Sequence, residues 1–228
     1  MKLKITKTLI ESWAYTFNAA EGYEEEAMAD FLHTLNREPV EESEAIQCGK
    51  AFEDLCYRMA EGQNVVRETP TGGVLPTTEM IDGEAIFEKE YPKWYDGAKK
   101  ISEIITGGQI QVPISCDLQV AGQDFWLYGI TDCIKAGVIY DIKFRMKSLG
   151  TDDVYGKYLD CSQHPLYLKA LPEASKFIYL VSDGQDLYTE TYTRDESKPI
   201  EDHILNFWAW MNTKPELLRT YREKWVVE

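Results

Sequence analysis

Long apolar runs are missing from this 228-residue chain, and nothing in it approaches the roughly 18 consecutive apolar residues of a membrane-spanning helix. The opening Met1-Lys2-Leu3-Lys4-Ile5-Thr6-Lys7 has no apolar stretch of the kind a secretory signal carries, so a cytoplasmic, unprocessed protein with no membrane partner is expected. Cysteine is sparse and unpatterned. Cys48, Cys56, Cys116, Cys133 and Cys161 are odd in number, far apart and without a CxxC pair, which argues against a disulfide framework and against a zinc or iron–sulfur cage. They are expected to be small buried or half-buried thiols. The three histidines, His33, His164 and His203, are isolated and read as surface or core residues, with His164 singled out only because it adjoins Gln163. No glycine-rich loop precedes a Lys-Ser/Thr pair, so ATP-driven translocation is not encoded here. Positive charge is also short: 24 basic against 39 acidic residues leave a net charge of −15, a field that repels phosphate polyanions.

What is present is the composition of one soluble globular domain, 44% hydrophobic and 28% charged, long enough to bury a core. The acid is unevenly spread. Glu21 to Glu61 holds twelve Asp/Glu against Arg37, Lys50 and Arg58, whereas Lys143 to Lys157 holds four basic residues against Asp152 and Asp153. A local basic path can therefore persist inside an acidic protein.

Thr8-Leu9-Ile10-Glu11 has the form of a capping box, and the apolar spacing after it predicts a helix that opens the chain. Met28 to Leu35 and Ile46 to Met59 mark two more helices, the second stopped by Gly62. Gln63 to Gly83, rich in Thr, Gly and Pro, reads as a loop. A helix over about Pro92 to Thr106 ends at Gly107-Gly108, and then the character changes. Gln109 to Val120, Gln123 to Ile134 and Val138 to Lys143 read as a three-strand meander turning at Ala121-Gly122 and Lys135-Ala136-Gly137. A helix over Ser162 to Leu171, strands over Lys176 to Ser182 and Leu187 to Thr193, and helices over Ile200 to Met211 and Pro215 to Trp225 follow. The order implies a mixed α/β domain with helices on both sides of a small sheet. Phe207, Trp208 and Trp210 sit at the spacing of a helix core, although aromatic rings can also stack on unpaired bases.

The chemistry concentrates around two neighbouring strands. Gly129-Ile130-Thr131-Asp132 ends the second strand of the meander and Tyr140-Asp141-Ile142-Lys143 lies on the third. Period-two alternation puts Asp141 and Lys143 on one face, with Ile142 turned away. Two acids and a cation on one surface suit a hard divalent cation, which takes oxygen ligands at about 2.1 Å and keeps several waters. The bland alternative is a turn-closing Asp132 and a surface ion pair on an edge strand. Two features weigh against it. Gly49-Lys50-Ala51-Phe52-Glu53 puts a carboxylate on an upstream helix, one turn beyond a glycine that would allow close approach to the sheet. Gln163 and Tyr167, four apart, share one face of the following helix.

These four segments together resemble the PD-(D/E)XK nuclease superfamily, in its RecB-like and phage-type exonuclease branch. No one of the four is distinctive, but all stand in the family's order over about residues 43–182. The resemblance implies a restriction-endonuclease-like α-β-β-β-α-β core, with 1–42 and 200–228 as added helices of a single domain. It also implies that Asp132, Asp141 and the main-chain carbonyl of Ile142 bind Mg²⁺ or Mn²⁺, with Glu53 a ligand directly or through water. Lys143 would orient or activate the attacking water, and Gln163 and Tyr167 would hold the lysine region and contact a backbone phosphate. The sequence departs from the family in lacking the cysteine triplet of cluster-bearing relatives and in having Phe52 where a histidine often precedes the glutamate.

Three readings follow. The first is a Mg/Mn-dependent deoxyribonuclease, an exonuclease acting on linear DNA ends in phage, prophage or bacterial recombination and repair, with a recombinase or single-strand-binding protein as a partner and a homo-oligomer left open. The second keeps the fold and makes it an endonuclease. The third is a catalytically silent binding module whose acidic Glu21 to Glu61 face engages a basic protein.

Overall fold

The computed structural model describes residues 1–39, 42–63, 84–150 and 154–227, and of 84–92 the backbone alone. The Thr/Gly/Pro-rich stretch 64–83 and Asp152 and Asp153 lie outside the described residues.

The chain does not open with a helix. Lys2–Ile5 forms β1, whose polar/apolar alternation buries Leu3 and Ile5 completely. Helix α1 (Lys7–Asn18) is capped by Thr6, whose hydroxyl accepts the Leu9 N–H at 3.3 Å, so the expected box at Thr8 is displaced by two residues. Helices α2 (Glu24–Asn36) and α3 (Glu44–Ala60) follow, the latter capped by Ser43. Helix α4 (Glu84–Ile105) begins a full two turns before the expected Pro92, because the helix-forming run from Glu84 carries the helix through the proline rather than starting at it.

The meander appears as expected: β2 (Gln109–Val120), β3 (Gln123–Lys135) and β4 (Val138–Phe144). Both reversals place two residues in the left-handed region, Ala121 and Gly122 (φ 48° and 78°) and Ala136 and Gly137 (φ 51° and 73°), as the tight hairpin turns that match strand twist require. Helix α5 (Gln163–Ala170), β5 (Lys176–Ser182), β6 (Leu187–Tyr192), α6 (Ile200–Asn212), α7 (Pro215–Lys224) and β7 (Val226–Val227) complete the chain.

The sheet is mixed and, with seven strands, larger than the sequence suggests. Its order is β6-β5-β4-β3-β1-β7, with β2 paired to β3 off that path. Both end segments, expected to be purely helical, supply a strand: Leu3 lies beside Phe125 on one side and Val226 on the other. Two cores flank the sheet. One is built by α1, α2, α5, α6 and α7 around Phe31, Phe125, Phe177 and Phe207; the other by α3 and α4 around Phe52, Trp94, Ile101 and Leu180. The aromatic run of α6 belongs to the first core, where Phe207 is fully buried and Trp208 nearly so.

The long strand β3 organises everything near the chemistry. On one edge β2 pairs with it almost throughout. On the other, β1 runs parallel to it only as far as Leu127, and β4 joins antiparallel only from Cys133 onward. The β3 edge from Tyr128 to Asp132 thus has no strand partner on that side. Helix α5 fills the gap. A Cβ at Gly129 would lie 2.5 Å from the Tyr167 ring, so only glycine admits that ring, and the Tyr167 hydroxyl donates to the Ile130 carbonyl at 3.0 Å.

Candidate metal-dependent active site

The fork between β3 and β4 brings the sequence-predicted residues together. Asp132 and Asp141 stand just past the last paired rung, Cys133 with Tyr140. Asp132 Oδ2 accepts the main-chain N–H of Ile142 at 2.7 Å, which replaces the missing ladder bond. Asp141 Oδ2 lies 2.5 Å from Lys143 Nζ, as the alternation of β4 requires, and Ile142 faces the other core. Gln163 donates from Nε2 to Asp141 Oδ1, and from the same helix Tyr167 holds the edge of β3.

Three expectations need correction. The surface expected to carry Asp141 is covered: the residue is 2% exposed, enclosed by Gln163 and Lys143. Gly49 does not bring α3 onto the sheet, because a Cβ there would meet open space. The close approach is made at Phe52, fully buried against Phe144 at 4.8 Å between ring centroids and against Trp94 at 6.2 Å. Finally, Gln163 and Tyr167 are both buried, so holding the two aspartate-bearing strands has a geometry here and contact with a phosphate does not.

Glu53 joins from α3. Its Oε1 accepts from the Tyr57 hydroxyl at 2.5 Å and from Gln111 Nε2 at 3.0 Å, while Gln111 Nε2 also reaches the Tyr57 oxygen at 2.8 Å. Gln111 was not anticipated from the sequence. In the β2–β3 register it falls opposite Asp132, at the one interior rung where pairing lapses, and its φ is 53°, a left-handed value inside a strand. Tyr57 is legible in the sequence, since it lies four residues after Glu53 on one helix face.

The electrostatics show charge in excess. Burial raises the Glu53 carboxyl above its ordinary range, and the neighbouring Asp141 adds to this against the Tyr57 hydrogen bond. Asp132 is raised further, by burial first and then by Asp141 and Glu53. Burial would push Lys143 down, but Asp141 and Asp132, with a smaller pull from Glu11 on α1, more than reverse it, so the ammonium is held charged. A second α1 residue, Lys7, acts electrostatically on Glu53. Glu11 also accepts from the Cys161 thiol at 2.7 Å; burial and Glu11 push that thiol up to about 12, which leaves it protonated and unfit as a nucleophile. The remaining cysteines are buried or half-buried as expected.

Among the described residues no three carboxylate, thiol or imidazole groups already converge tightly enough to enclose an ion. The donor set nevertheless fits one. Three carboxylates share a confined space with Lys143, and the buried Asp141 Oδ2 has no partner there besides that ammonium. Oxygen-only donors with net negative charge suit Mg²⁺ or Mn²⁺. His33 pairs with Glu38 on the surface, and His164 sits in the core, its Nδ1 3.2 Å from the Tyr179 hydroxyl and its ring stacked on Tyr192, so neither belongs to the site.

Among the described residues no helix is long and apolar enough to cross a membrane. No protein-family model and no curated protein matches the chain. Among solved structures it is similar to SSO0001, at 13% identity and a TM-score of 0.44 over 93% of this chain and 77% of that one. It is also similar to LHK-Exo in complex with dAMP, at 14% identity and a TM-score of 0.40 over 97% of this chain and 94% of that one.

Proposed function

We propose that the chain is a Mg²⁺- or Mn²⁺-dependent deoxyribonuclease that hydrolyses phosphodiester bonds, an exonuclease working from linear DNA ends. The observation that carries this reading is the convergence of Glu53, Asp132 and Asp141 around the cation Lys143 at an unpaired fork in the sheet. Asp132, Asp141 and the Ile142 carbonyl would hold the metal, with Glu53 completing the set. When bound, the metal lowers the pKa of a water and offsets charge on the phosphate.

The chain's own residues account for the rest. Lys143, locked as an ammonium by its carboxylate neighbours, donates hydrogen bonds and cannot take up a proton, so its role is to orient the attacking water and to balance charge growing on the phosphate oxygens. Gln163 fixes Asp141, and Tyr167 fixes the β3 edge beneath Asp132, which keeps the two aspartates at a set separation. Gln111 and Tyr57 aim Glu53. The proposed setting is DNA recombination and repair in a phage, prophage or bacterium, with a recombinase or single-strand-binding protein as the protein partner.

Digestion of end-labelled linear, nicked and circular DNA with Mg²⁺ or Mn²⁺ tests the reading. Degradation confined to linear DNA is expected. Cutting of closed circles would make it an endonuclease. No digestion in either metal would favour the binding module with the acidic Glu21 to Glu61 face.

A further inference from the structure

Two rings on β3 stand outside both cores among the described residues. Trp126 and Tyr128 are half-buried, while Phe125 and Leu127, which alternate with them, are fully buried on the opposite face. Their centroids are 5.1 Å apart with the planes inclined by 32°. The next residue of the same alternate set, Ile130, is 43% exposed, and the one after it is Asp132. A line of flat apolar surface thus runs along one strand and ends at the candidate metal site.

Cations border this line. Lys4 of β1, level with Trp126 in the sheet, places Nζ 3.9 Å from the centre of the Tyr128 ring and 5.2 Å from that of Trp126. Among the described residues it forms no ion pair, and burial first, then the charge of Arg37, push its pKa down. Lys7, two residues beyond the end of β1, acts on Glu53 and so brings positive charge to the site end of the line. Asp117, opposite Trp126 on β2, is itself paired with Lys2 at 2.8 Å.

We propose that Trp126 and Tyr128, bordered by Lys4, seat unpaired bases of a single-stranded DNA segment whose backbone continues to Asp132; this rests on the nuclease reading above. Flat rings accept bases only where those bases are unstacked from a duplex. A wide phosphate footprint is denied by the overall acidity, so stacking has to supply what charge does not. Lys4, on a flexible stem, turns from the rings to a phosphate when bases take its place.

Anisotropy of fluorescein-labelled oligo(dT) and of a blunt duplex of equal length, in EDTA and in Ca²⁺, tests the seat without requiring cleavage. The Trp126→Ala/Tyr128→Ala pair should weaken oligo(dT) binding by about tenfold or more, with duplex binding unchanged and Trp126→Phe/Tyr128→Phe close to the parent. Lys4→Gln should reduce the salt slope by about one. Since the alanine pair could misfold, photocrosslinking of 5-iododeoxyuridine oligonucleotides to the unaltered protein provides a second measurement, expected to label Trp126 or Tyr128. Crosslinks confined to other positions, equal oligo(dT) affinity in the alanine pair, or a dimer that the alanine pair dissolves would overturn the seat. If the unaltered protein cleaves DNA and yet crosslinks elsewhere, the seat alone falls; if it neither binds nor cleaves DNA in any form, the nuclease reading falls with it.

Discussion

Asp132 accepts the Ile142 N–H at 2.7 Å just where β3 and β4 stop pairing, so one carboxylate both closes the fork and faces the candidate metal site. The two duties are separable. Asp132→Ala should cost about 1–2 kcal/mol through the stranded N–H, whereas Asp132→Asn keeps an acceptor and sheds a charge that burial and Asp141 disfavour. Without metal the asparagine variant should be at least as stable as the parent, and both variants should lose cleavage by about 10²-fold or more. Urea denaturation beside a digestion assay checks this, and an active asparagine variant would refute the ligand assignment.

Lys143→Ala should lower kcat by roughly 10²-fold or more while DNA affinity changes little, the scale of one lost electrostatic stabiliser. Lys143→Arg should not restore turnover, because a planar guanidinium cannot take the place of the compact ammonium 2.5 Å from Asp141. Single-turnover kinetics decides the matter; near-parental turnover in the alanine variant would remove Lys143 from the chemistry.

Cleavage should require Mg²⁺ or Mn²⁺, and Ca²⁺ should raise the thermal midpoint without supporting it. Because Glu53 and Asp132 have raised proton affinities, metal and protons compete for them, and Mn²⁺ affinity should rise with pH as those carboxylates deprotonate. Calorimetric titrations in buffers of different ionisation enthalpy would show the released protons. Full activity in EDTA would end the metal reading.

Gln111 makes a prediction in which stability and activity move apart. Gln111→Gly removes the cost of a left-handed φ in a strand, about 1 kcal/mol, and also releases Glu53 and Tyr57. The variant should be as stable as the parent or more so, yet slower in cleavage and weaker in metal binding. A loss of stability together with unchanged activity would mean that the contact is only structural.

Acid should destabilise the protein partly through His164. Burial, with His203 nearby, lowers its pKa to about 4, against about 6.5 in an unfolded chain. Between those values the unfolded state binds the extra proton, so the contribution is complete above about pH 6.5, declines as pH falls and levels off below about 4, on the order of 3 kcal/mol at most. His164→Phe, which keeps a ring against Tyr192, should flatten the fall in thermal midpoint over that window. An unchanged slope would place the acid sensitivity elsewhere.

Much of this site was legible because its parts are local. Alternation alone sets Asp141 beside Lys143, i,i+4 spacing pairs Gln163 with Tyr167, and the hairpin turn between β3 and β4 brings Asp132 to Asp141. What escaped depends on partners distant in the chain. Alternation says which residues share a face but not which face is covered, so the burial of Asp141 under α5 could not be read. β1 is four residues long and takes its meaning from β3 and β7, and with β1 unseen the approach of Lys7 and Glu11 to the site was also unseen. The φ of Gln111 is imposed by tertiary contacts, and no residue type announced it.

The position of β1 also carries a statement about time. Leu3 is made well before its neighbours in the sheet, Phe125 and Val226, so closing that part of the structure joins segments far apart in sequence. The β2–β3–β4 meander, with its tight turns, can form from nearby residues well before then. During assembly the two aspartates and Lys143 therefore meet early, and the lysines of the first strand and helix arrive last. A partly folded chain would hold the acids of the site before it holds the cations that border it.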